Sequence, residues 1–184
     1  MRKMLICISS LALVSVPAAA FAQSAGGMAM PAPNVQPMTG TSSQNYVAWA
    51  ADSDMYEMQS SKLALAKAKN KATKDFAREM IADHMKTTRA LMAALPKTEP
   101  RIAKPGKMLS EPNAAKIAAL KDAPADSFDA LYMQQQAEAH KTAYALHKGY
   151  AMDGQDPALR QVATSAVPII EKHMAHLQGM PGAM

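Results

Sequence analysis

The chain has 184 residues, one cysteine and a formal charge of +5 from 20 basic and 15 acidic side chains. That bias is too weak for a nucleic-acid binder, in which a basic patch dominates the count. One cysteine cannot build a disulfide framework, so stability has to come from packing.

Residues 1–22 read as a secretory signal: Arg2 and Lys3, an apolar run over 4–16, and the small-residue end Ala20-Phe21-Ala22 before Gln23. Cleavage after Ala22 would remove Arg2, Lys3 and Cys7, lowering the charge by two and leaving no thiol. Cys7 lies inside the signal rather than just after the cut, which argues against a lipid anchor. The apolar run falls short of the roughly 20 residues of a spanning helix, and no later stretch approaches it. The expectation is a periplasmic or secreted protein with no transmembrane segment and at most peripheral attachment to the outer membrane. Residues 23–41, rich in Gly, Pro and Ser, read as a flexible tether. Its Met28 and Met30 form a Met-x-Met pair able to hold Cu(I) through thioethers, although such methionines usually mark only a tail.

From an N-cap at Ser42 or Ser43 a first helix is predicted to about Lys69, with Tyr46, Trp49, Ala50, Ser53, Tyr56, Glu57, Ser60, Leu63 and Ala64 on one buriable stripe. Asp52, Gln59 and Lys62 fall on the solvent side. Asn70 punctuates, and a second helix ending at Pro96 carries Phe76, Ala77, Met80, Ile81, His84, Thr88, Leu91 and Leu95 on its stripe. The prolines between Pro96 and Pro124 mark a long crossover holding one short helix over about 112–121. Asp126 or Ser127 caps a third helix with Phe128, Leu131, Tyr132, Gln135, Ala139, Thr142, Ala143, Leu146 and Tyr150 inward and His140 and His147 on the adjoining edge. Asp156 before Pro157 caps a fourth, which carries His173 and an internal Pro168. With no strand pattern, the fold expected is all-α: an up-and-down four-helix bundle over 42–178, followed by a loose tail over 179–184. Its Ala-rich outer faces would permit a homodimer.

Glu57 stands out, because a carboxylate in a core-facing stripe costs free energy unless something pairs with it. Folding the first hairpin about Asn70 puts Glu57 opposite residue 83, level with His84. Folding the second about Gly154 leaves His173 about five residues, roughly 7 Å, out of level with His140. Glu57, His84, His140 and His173 are therefore the candidate metal ligands, a carboxylate and imidazoles suited to iron, zinc or copper. The di-iron pattern is absent: Met80 and Met133 precede His84 and His140 by four and seven residues, and Ile170 stands where a Glu-x-x-His motif ending at His173 needs its glutamate. The plainer reading, which the sequence favours, pairs Glu57 with His84 and completes a buried polar layer with Ser53, Ser60, Tyr56 or Tyr132. His147 and His176 are expected to be solvated.

Five ordered segments, SDMYEMQSSKLAL (53–65), FAREMIADH (76–84), FDALYMQQQAEAH (128–140), DGQDPALRQVA (153–163) and VPIIEKH (167–173), resemble the motifs of the domain of unknown function 4142. The resemblance covers about residues 46–177. It implies a ferritin-like four-helix architecture, an exported bacterial protein of a kind often labelled as outer membrane, and motif positions at Glu57, Asp83, His84, Phe128, Asp129, His140, Pro168 and His173. It implies no activity.

Two functions follow. One is a non-catalytic helical bundle with a binding or envelope-stress role; the other is a ferritin-like metal-binding or redox bundle built on the Glu/His cluster. An enzyme is the weakest reading, since no nucleophile with a positioned base and no phosphate loop occurs outside that cluster.

Overall fold

A computed structural model describes residues 34–180 and residue 182. The signal expected over 1–22, the Met28–Met30 pair and the end of the expected tail lie outside the described residues.

The described residues form helices joined by loops, with no strand. They are α1 (Ser43–Lys67), α2 (Lys71–Ala94), a 3-10 turn at Leu95–Lys97, α3 (Glu111–Asp122), α4 (Phe128–Asp153) and α5 (Pro157–Gln178). Local chemistry sets the starts. Ser42 accepts from the Asn45 amide, Asn70 from the Ala72 amide and Asp156 from the Leu159 amide, each satisfying a donor that a helix start leaves free. Helix α5 continues through Pro168. None of these helices is long and apolar enough to cross a membrane.

Helix α1 packs on α2 and α4, and α5 on α4 and α2, so the four long helices close a ring. Two apolar clusters fill its ends. One gathers Tyr46, Leu91, Leu146, Tyr150 and Leu159, the other Phe76, Met80, Phe128, Tyr132 and Leu177. Each such side chain contributes about 1.5–3 kcal/mol when taken fully out of water. The layer between them is polar.

Three placements differ from the periodicity. Trp49, expected inside, is 47% exposed, because the inward arc of α1 is centred on Tyr46, Ala50, Asp54, Glu57 and Ser61 instead. The adjoining edge of α4 is buried along Met133, Gln136, His140, Tyr144 and His147. Asp52, expected in solvent, ties down the crossover by accepting from Ser110 and Asn113. Helix α3 itself buries only Ile117 and Leu120. Its C-terminal carbonyls at Leu120 and Ala123 are each held at 3.0 Å by the Lys67 ammonium, a cation placed where the helix dipole is negative.

Residues 34–41, expected to belong to a tether, run against α4. The Met38 amide donates to the Ala145 carbonyl and the Gly40 amide to Asp153, both at 2.7 Å. Gly40 adopts the positive φ of 73° that this turn requires. At Gly149 any Cβ would be driven into the Met38 backbone, so only glycine admits this close approach. Met180, expected in a loose tail, is 8% exposed and packs on the Phe76 cluster.

Candidate metal centre

All four helices of the ring feed the central layer: Asp54 and Glu57 from α1, Asp83 and His84 from α2, Gln136 and His140 from α4, and His173 from α5. His84, His140 and His173 each present one ring nitrogen, and these three atoms lie within 4.8 Å of one another.

The other nitrogen of each ring is anchored outward. His84 Nδ1 lies 2.8 Å from Asp54 Oδ1, a carboxylate that also accepts from Thr87 and Thr88. His140 Nδ1 lies 2.8 Å from the Gln136 carbonyl. His173 Nε2 lies 3.1 Å from Asp83 Oδ2. A carbonyl or a carboxylate can only accept, so each anchored nitrogen carries the proton and donates it. With each ring neutral, the inward nitrogens, His84 Nε2, His140 Nε2 and His173 Nδ1, are lone pairs. His140 Nε2 and His173 Nδ1 face each other at 3.2 Å, an arrangement that two neutral acceptors do not hold unaided.

Burial is the main reason that His140 is pushed well below the ordinary imidazole range and His173 down to about 4. A shared proton is thus a poor solution for that pair. His84 moves the other way: burial opposes its protonation, but the Asp54 hydrogen bond and the negative charge of Glu57 prevail and raise it. Burial lifts Glu57 to about 7, against the pull of the His84 charge.

The expected Glu57–His84 pair does not form. The nearest imidazole nitrogen across from the Glu57 carboxylate is His140 Nδ1 at 3.6 Å, already committed to Gln136. Of the side chains expected to complete the layer, Ser60 donates to the Glu57 backbone carbonyl and accepts from Gln136, Tyr56 donates to Gln135, and Tyr132 pairs with Ser61, so none of these reaches the Glu57 carboxylate. Among the described residues, the buried side-chain nitrogens and oxygens without a partner are both Glu57 carboxylate oxygens, His84 Nε2 and Gln136 Oε1. Such atoms are rare in folded proteins, and here they fall in one layer.

The depth arithmetic explains both what the sequence found and what it missed. Helix α1 ends at Lys67 and α2 begins at Lys71, so the hairpin turns about residue 69 and sets Asp54, not Glu57, opposite His84. Asp54 was the overlooked residue; its signal was a second acid one turn before Glu57 on the same face. The second hairpin turns about Gln155, which leaves His173 three residues, about 4.5 Å, from level with His140. Side chains lean toward the N-terminus of their own helix. In antiparallel neighbours His140 and His173 therefore lean toward each other and close the gap.

His147, expected in solvent, is 6% exposed, bonds the Tyr46 hydroxyl through Nδ1 at 3.0 Å, and is held by burial at about 4. His176 is partly exposed and pairs with Glu79.

The family described as Domain of unknown function (DUF4142) matches residues 28–180 of the chain. No curated protein and no solved structure matches it. The chain belongs to the DUF4142 family.

Proposed function

We propose, with membership of this family as the premise, that the protein is an exported bundle that holds one transition-metal ion in its core. His84 Nε2, His140 Nε2, His173 Nδ1 and a Glu57 carboxylate oxygen would be its ligands. The ring of helix contacts supports reading the fold as an up-and-down four-helix bundle of ferritin-like kind, with α3 in the crossover.

The observation that carries this reading is the set of buried, unpartnered atoms at Glu57 and His84 beside two inward lone pairs. A structural polar layer would satisfy its members, because an unpaired buried polar group costs about 1–3 kcal/mol. A cation would satisfy the three inward imidazole nitrogens at once, with the Glu57 carboxylate, outside that 4.8 Å group, closing on it as the fourth ligand. Imidazole nitrogens bound 2.0–2.1 Å from one zinc-like ion sit about 3.3 Å apart at a tetrahedral angle, close to the 3.2 Å between His140 and His173. Asp54, the Gln136 carbonyl and Asp83 supply the outer hydrogen bonds that fix the tautomer of metal-bound histidines. Three imidazoles and a carboxylate suit zinc, copper or iron.

Elemental analysis by inductively coupled plasma mass spectrometry on tag-free protein from a periplasmic extract tests the reading, beside a His140→Ala, His173→Ala double variant. About one equivalent per chain in the wild type and none in the variant is expected of a closed single-ion site. Well under one equivalent of every transition metal in the wild type would leave a purely structural layer and turn the search toward binding partners.

A further inference from the structure

A second group of ligand-type side chains lies outside the core on the α2–α5 side and shares His173 with it. Glu79, Asp83 and His173 offer ligand atoms within 4.8 Å of one another. Two ammonium groups cover their carboxylates. Lys172 Nζ lies 2.6 Å from Glu79 Oε1 and 3.8 Å from Asp83 Oδ2, and Lys86 Nζ lies 2.7 Å from Asp83 Oδ1. His176 Nδ1 adds an imidazole 2.9 Å from Glu79 Oε2, on a side chain 44% exposed.

The core ligands are nearly inaccessible: Glu57 and His140 are 1% exposed, His84 4% and His173 0%. An ion reaching them needs a path lined by groups that replace its water step by step. His173 is the link, with Nε2 on Asp83 in the outer group and Nδ1 on His140 in the inner one. The two groups of ligand atoms, Glu79 with Asp83 outside and His84 with His140 inside, thus share His173, and partly exposed His176 stands at the outer end on Glu79.

We infer that Glu79, Asp83 and His176 form the loading port of the core site, where a hydrated divalent cation is captured and passed along His173. The inference rests on the metal-site reading above. Lys172 acts as the placeholder: its ammonium neutralises the port when no ion is there and is displaced on capture. The step is ligand exchange: metal–oxygen and metal–nitrogen bonds to the side chains replace bonds to water, which is released, and no covalent bond within the protein changes.

A port differs from a ligand in its kinetics, since it must alter entry and exit together and leave the equilibrium alone. Stopped-flow absorbance after adding Co(II) to the metal-free full chain reads entry, and chelator-driven loss of the same bands reads exit. Glu79→Gln and His176→Asn should each slow both rates about tenfold, the scale on which charges lining a cleft steer small ions, with an unchanged Kd. Lys172→Gln should load faster. The outer residues are partly exposed, and matching circular dichroism would confirm that the variants fold. Unchanged rates in both Glu79→Gln and His176→Asn, or a weakened Kd at an unchanged loading rate, would overturn the port. Failure of the wild type to take up Co(II) would instead overturn the core site itself.

Discussion

The core buries histidine in two settings. At the Tyr150 end, His147 Nδ1 is hydrogen-bonded to the Tyr46 hydroxyl, and the ring retains no nitrogen that is both buried and unpartnered. Tyr46 in turn stacks on Tyr150 at 4.0 Å, and Tyr150 bonds Ser43. In the central layer, His84, His140 and His173 are anchored on their outer nitrogens and left open on their inner ones. Burial alone therefore does not mark a functional histidine, since both settings are buried. What separates them is whether the hydrogen-bond inventory closes.

That contrast can be tested from its largest consequence down. His147 is held at about 4 by burial, below the 6.5 of an exposed imidazole. Its neutral form favours the folded state, so its contribution is complete above pH 6.5 and is lost as pH falls through 4. The depression corresponds to about 3 kcal/mol. Urea titrations of the metal-free protein should show that acid limb, and His147→Gln should flatten it while leaving metal content at the wild-type level. Loss of metal in this variant would erase the distinction between the two settings.

Next, Asp54→Asn should weaken metal affinity by about 10–100-fold without removing a ligand, as loss of an outer hydrogen-bond partner does. Chelator competition measures it, and an unchanged affinity would mean that Asp54 does not orient His84. The last effect is the most diagnostic in sign. Without metal, Glu57→Gln should stabilise the chain at pH 8 by about 1–3 kcal/mol, because it removes an unpaired buried charge. With metal in excess it should destabilise, because a ligand is gone. Thermal melts in chelator and in added zinc read both arms, and a destabilising effect in each would return Glu57 to a structural role.

How much of this was legible in the chain follows from the range of the interactions. Helix starts depend on a few adjacent residues, so Ser42 and Asp156 could be read directly as caps and Asn70 as the break that it also caps. The three histidines and Glu57 announced themselves by lying near apolar stripes. Their partners did not, because partner choice depends on where each hairpin turns. A pivot placed one residue late in the first hairpin exchanged Asp54 for Glu57 opposite His84, and one placed a residue early in the second set His173 apart from a neighbour it meets at 3.2 Å. Trp49 misled for a related reason: periodicity gives the width of an inward arc more reliably than its centre.

The crossover helix α3 has a consequence in the time domain. It covers the α1–α4 side with two buried side chains, one lysine at its C-terminal carbonyls and one aspartate ahead of its first turn. Little apolar surface has to be exposed to detach it, so it can open and reclose while the ring stays folded. Amide protons of residues 111–122 should then trade with solvent long before those of the ring, and the Tyr56 flank of the bundle would be uncovered at intervals set by Lys67 and Asp52.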